Sequence, residues 1–204
     1  KNNVTFGFFH DTIASVAYEK EFLYSLHSLE RNQKDKHSLA AIYMGSGLGA
    51  GFVLQNSLAT RALAEYGHVL ACLPDKYSDI GKLNEEEKEI LKDYQNITPC
   101  ACGNKYCFEN LIREVVFRSK TSEEYIINTN EDALKHFASD KPERYELLKH
   151  LISLLLNSII NVMDVDLVVF TGRIFNSIEE LKKDLDDLKM QYALKQLSVH
   201  CRIL

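Results

Sequence analysis

Residues 142–172, "PERYELLKHLISLLLNSIINVMDVDLVVFTG", do most to limit what this chain can become. A proline near the first turn opens a long apolar helix over 142–164. "VDLVVFTGR" follows as a buried strand that ends in a turn at Gly172. A buried helix running straight into a buried strand needs a layered partner, a sheet carrying helices on its faces. The apolar run is interrupted by Lys149, His150 and several polar residues, so it predicts a core helix rather than a membrane span.

The remaining pattern agrees with a mixed α/β chain. "VTFGFF" (4–9) reads as a short buried strand ending at His10 and Asp11. Helical spacing follows, with Asp11 or Thr12 as N-cap. Strands are expected at 38–44 and 51–55 on either side of a glycine-rich turn. Helices are expected over 84–94, 108–116, 131–138 and 177–196, with "SVHCRIL" as a closing strand. The acidic face of 84–94 reads as a solvated surface. There is no internal repeat or low-complexity segment.

The 204 residues are 46% apolar and 26% charged, enough for a sizeable core. A formal net charge of -5 argues against nonspecific nucleic-acid binding by these residues. The first residues, "KNNVTFGFFHD", lack a basic segment followed by an apolar core. Five cysteines without export signals fit a reducing compartment, so the expectation is a cytoplasmic protein without a disulfide framework.

Three of those cysteines fall within eight residues, in "CACGNKYCFEN". Cys100, Cys102 and Cys107 form C-x-C-x4-C, with no C-x-x-C redox pair. Clustered thiolates around a glycine that lets the chain bend suit a tetrahedral zinc knuckle. The spacing leaves the fourth ligand open between His68 and Cys72, both in "EYGHVLAC".

"GSGLGAG" places glycines at 45, 47, 49 and 51. It lacks the G-x-G-x-x-G spacing between strand and helix of a dinucleotide site, and the G-K-[ST] of a P-loop. What remains is a hairpin turn whose backbone N–H groups can line a phosphate, or simply a turn.

Taken in order, His10-Asp11, "GSGLGAG", "EYGH" (65–68), "CACGNKYCFE" (100–109) and "TGR" (171–173) resemble the ROK family, which groups sugar kinases with sugar-responsive transcriptional repressors. The resemblance runs over nearly the whole chain. It implies an actin-like ATPase, ribonuclease-H-like fold with a zinc knuckle insertion, and it gives His68 as the fourth ligand beside Cys100, Cys102 and Cys107. It implies a sugar site built from His10, Asp11, Glu65, His68 and Glu109, with a hexose or N-acetylhexosamine as ligand. In a kinase, Asp11 would be the base that takes the proton from the sugar hydroxyl. By itself Asp11 could equally cap a helix. Gly45, Ser46, Gly47, Gly49 and Gly172 would flank a nucleotide, with ATP and magnesium as cofactors in the kinase case only.

Several departures favour the repressor branch. The D-x-G-G-T loop of the family's kinases is missing, so residues 1–204 are expected to be a single C-terminal lobe of a longer protein. His10 stands where the family has asparagine, and Arg173 where it has a second glycine. A side chain at that turn obstructs the close backbone approach a nucleotide needs. The expectation is therefore a sugar-binding effector domain that reaches DNA only through a module outside these residues, as a homodimer, with a sugar kinase as the alternative.

Overall fold

The computed structural model describes residues 13–14, 17–18, 20, 38–45, 47–55, 57–59, 63–118, 131–192 and 202–203. The strand expected at 4–9, most of the helix after it, and the candidate residues His10, Asp11 and Ser46 lie outside the described residues.

The sheet has five strands: β1 (Leu39–Met44), β2 (Leu48–Leu54), β3 (Ser57–Leu58), β4 (Leu167–Thr171) and β5 (Arg202–Ile203), in the order β3-β2-β1-β4-β5. β1 and β2 form an antiparallel hairpin with Met44 opposite Leu48 and Leu39 opposite Val53. β4 joins the other edge of β1 in parallel, Leu39 beside Leu167 and Tyr43 beside Thr171. β5 continues in parallel next to β4. Both parallel neighbours are reached through helical crossovers, as parallel pairing demands.

β2 begins three residues before the expected 51. Gly49 is therefore a paired strand residue opposite Tyr43, Gly51 pairs with Ala41, and β1 ends at Met44 where β2 begins at Leu48. Glycine lowers strand propensity, but apolar Leu48, Ala50 and Phe52 carry one buried face of the sheet and override it.

The helices are α1 (Glu85–Gln95), α2 (Phe108–Leu111), α3 (Glu131–Lys135), α4 (Phe137–Asp140), α5 (Pro142–Met163), α6 (Arg173–Ser177) and α7 (Glu179–Tyr192). α1 starts on a capping box, in which Asn84 and Glu87 satisfy each other's backbone N–H. Two expected helices are divided. Residues 108–116 pass from α2 into a π-helical turn at Ile112–Val116, and 131–138 breaks at His136. The helix expected over 177–196 is α7, preceded by the short α6, which is not among the expected helices.

α5 is the centre of the core. Leu148, Leu151, Ile152, Leu155, Leu156, Ile159 and Ile160 are buried at helical spacing. By length and composition it could cross a membrane, but eleven of its residues are buried in the core. One of them is Arg144, whose guanidinium donates to Val115 O and pairs with Asp93 at 2.7 Å. A buried charge needs such a partner, and this one ties α5 to α1 and to the π-helical turn.

Candidate functional site

The C-x-C-x4-C loop is held by its own backbone. Cys100 N–H donates to Asn104 O at 2.9 Å, and Gly103 N–H to Cys100 O at 2.8 Å. Gly103 has φ +87°, the left-handed region in which an L side chain is strained. His68 reaches the loop because residues 69–71 lie antiparallel to 106–108. Phe108 N–H donates to Val69 O at 3.0 Å, and Ala71 N–H to Tyr106 O at 2.8 Å. A separation of more than thirty residues is thereby closed to contact.

The ligand atoms of His68, Cys100, Cys102 and Cys107 all lie within 4.8 Å of one another, an arrangement that could hold a metal ion. His68 Nδ1 is 3.7 Å from Cys100 Sγ and 3.9 Å from Cys107 Sγ, and the Sγ atoms of Cys102 and Cys107 are 3.9 Å apart. Cys100 and Cys107 are buried and Cys102 is exposed. Burial pushes the Cys107 thiol up to about 12, whereas the Asn104 backbone N–H holds Cys102 below its ordinary value. A cation among the sulfurs would favour the thiolate form of Cys107. Cys72, the other ligand left open by the spacing, is exposed and outside this group; its carbonyl faces His150 Nε2 at 3.2 Å.

The other ring nitrogen of His68 points to the second half of the site. Nε2 lies 3.3 Å from Glu65 Oε2. An N–H donated there leaves the Nδ1 lone pair facing the sulfurs. Glu65 and His68 share the tight turn Leu63–His68. That turn is anchored by Tyr66, which donates to Ser158 Oγ of α5 at 2.8 Å and packs on Phe52 of β2. Gly67 allows the contact, because a Cβ there would stand 2.0 Å from Leu48 O.

Glu109 opens α2 two residues after Cys107. Its Oε2 accepts the Leu48 N–H at 3.0 Å. Leu48 is thus shared by both motifs, its N–H holding Glu109 and its carbonyl abutting Gly67. Its role had no signal in the sequence, because backbone groups do the work. The cleft beside it is lined by Gly45, Gly47, Glu109, Arg113 and Ile174. A Cβ on Gly47 would come within 2.9 Å of Glu109 Oε2. Gly172 closes the end of β4 with φ +104°, so near β1 that a Cβ would stand 2.5 Å from Met44 O. Arg173 follows as an exposed residue at the start of α6. Gly49 lies within β2 and not in the turn.

Comparison with known proteins agrees with this architecture. The N-acetyl-D-glucosamine kinase of Yersinia pseudotuberculosis is 23% identical over 155 residues, covering 72% of this chain and 47% of the kinase. The chain spans about half the length of the curated relatives it matches. Among solved structures, a ROK family transcriptional regulator that is a homolog of the E. coli MLC protein superposes with a TM-score of 0.59 at 20% identity, over 96% of this chain and 46% of that one. A ROK family glucokinase from Streptomyces griseus, in complex with glucose and AMPPNP, gives 0.56 at 15% identity, over 96% of this chain and 61% of that one. These neighbours share the actin-like ATPase fold with its mixed α/β sheet. The ROK family profile matches residues 21–204, and the chain belongs to the ROK family.

Proposed function

We propose that this chain is the sugar-binding effector lobe of a ROK-family transcriptional regulator, in which a structural zinc ion supports the sugar site. The observation that carries the reading is the two-sided position of His68, with Nδ1 on the thiols and Nε2 on Glu65. Three soft sulfurs and one imidazole suit zinc. A tetrahedral zinc has donor–donor edges of about 3.6–3.8 Å, from bond lengths of about 2.0–2.3 Å. Three of the separations, at 3.7–3.9 Å, match those edges, and all four ligand atoms lie within 4.8 Å of one another. When bound, zinc supplies positive charge that keeps the thiols deprotonated and fixes the His68 tautomer.

The chain's own residues do the recognition. Glu65, Glu109 and Asp11 accept hydrogen bonds from sugar hydroxyls, and a charged acceptor makes the stronger ones. To receive a hydroxyl, Glu109 would share or release the Leu48 N–H. His10 completes the wall. A hexose or N-acetylhexosamine fits that donor and acceptor set. DNA contact would come from a module outside these residues, in a cytoplasmic homodimer.

Arg173 favours a regulator over a kinase, since the turn after Gly172 offers a charged side chain to solvent where a nucleotide needs bare backbone. The specific observation on the other side is the likeness to N-acetyl-D-glucosamine kinases. In that second reading Asp11 is the base, and Gly45, Ser46, Gly47, Gly49 and Gly172 flank ATP and magnesium. A coupled ADP-release assay on the full-length protein, with magnesium-ATP and a panel of hexoses and N-acetylhexosamines, decides between them. The regulator reading expects sugar binding by calorimetry without turnover. Turnover of about 1–100 per second would establish the kinase instead.

A further inference from the structure

Asn110 sits directly behind the metal loop and is fully buried, at 0% exposure. Its Nδ2 donates to Thr98 O at 2.8 Å and to Lys105 O at 2.7 Å. Its Oδ1 accepts from an Arg113 guanidinium N–H at 3.2 Å. The orientation of the amide is dictated by chemistry, because two facing carbonyls require the NH2 end and a guanidinium requires the oxygen. Thr98 and Lys105 flank the segment that carries Cys100 and Cys102. The amide therefore staples the two ends of that segment together across its base. The turn bonds between Cys100, Gly103 and Asn104 close the loop only from within. Asn110 also follows Glu109 in α2, so one residue position joins the loop, the carboxylate on Leu48 and the side chain of Arg113 at the cleft.

We propose that Asn110 is the positioning residue that preorganises the metal loop. It holds Cys100 and Cys102 at the spacing their partners Cys107 and His68 require. The proposal rests on the metal-binding reading of the cluster. The alternatives at this position fail for definite reasons. An aspartate would set a carboxylate against two carbonyls, and a leucine would take the shared donor away from both. Residues that support metal ligands from behind typically change metal affinity by about 10–100-fold when replaced.

The test uses the full-length protein, stripped of metal under reducing conditions and titrated with Co2+, whose thiolate charge-transfer and ligand-field bands report coordination geometry. Asn110→Asp and Asn110→Leu are compared with Leu134→Ala, a fully buried position on α3, the helix packed against α6. The expected result is Co2+ affinity about 10–100-fold weaker in both Asn110 variants, with shifted or weakened ligand-field bands. Leu134→Ala should lower the melting temperature while keeping the wild-type affinity and spectrum. Asn110 variants that are folded, and that bind Co2+ with wild-type affinity and bands, would overturn the proposal. So would Leu134→Ala changing the bands as much as they do. If the wild-type protein takes up no Co2+, the metal reading itself fails, and that outcome is distinct from failure of Asn110 alone.

Discussion

Leu48 is the residue on which the site turns, although only its backbone is used. Its N–H holds Glu109 and its carbonyl touches Gly67. Two predictions follow at this scale. Gly67→Ala would drive a Cβ to 2.0 Å from Leu48 O, a backbone atom that cannot swing aside. The expected cost is about 3 kcal/mol, the upper part of the usual range for overpacking, read as a lower midpoint in urea unfolding. Glu109→Ala removes the acceptor for Leu48 N–H and, on the proposed reading, for a sugar hydroxyl. Loss of a charged hydrogen bond is worth about 1–3 kcal/mol, so calorimetry should find the sugar bound about ten- to a hundredfold more weakly. Unchanged affinity would remove Glu109 from the site.

Among the elements, α1 carries the most legible electrostatics. Lys76 bonds Glu87 at 2.7 Å and Glu143 at 3.1 Å, joining the 75–78 turn, α1 and α5. Burial alone would lower the Lys76 ammonium, but these two carboxylates outweigh it and hold it above the ordinary lysine range. Glu87 is held below its ordinary value, first by the Lys76 hydrogen bond and then by the Asn84 N–H. A carboxyl with a depressed folded pKa stabilises the protein above its unfolded value and loses that contribution as pH falls through the folded value. Stability from this contact should therefore be complete above about pH 4.5 and fall away below it. Glu87→Gln should flatten the acid limb of a melting-temperature profile, and an unaltered limb would count against the assignment. Asn84→Ala should cost about 1 kcal/mol through loss of the cap, with no effect on metal binding.

For the whole molecule, the proposed reading makes the cysteine loop and the turn carrying Glu65 and His68 one side of the sugar site, and β1, β2 and α6 the other. On that reading, removing the zinc should release the first side. One zinc per chain is expected by elemental analysis, with a lower melting temperature in chelator that recovers on adding zinc. A metal-free protein with the same melting temperature would defeat the structural role. The long apolar helix, the strand after it and the hairpin at 38–55 were legible from sequence because periodicity and glycine punctuation are local properties of the chain. The thiol cluster was legible too, since thiolate chemistry and spacing need no fold. Other features depended on contacts distant in sequence. The choice of His68 over Cys72 could not be made from spacing; the family resemblance implied it, and the antiparallel pairing of 69–71 with 106–108, which brings His68 to the thiols and leaves Cys72 exposed, supplies the physical reason. Gly49 read as part of a loop until pairing with Tyr43 made it a strand residue. The π-helical turn at 112–116 is tied to Arg144, 29 residues beyond Val115, and the role proposed for Asn110 arises because the fold brings Thr98 and Lys105 to either side of it. Local sequence specified which elements and which chemistry were present. The partners of buried polar groups were decided by tertiary structure, because such groups must be satisfied by whatever the fold places beside them.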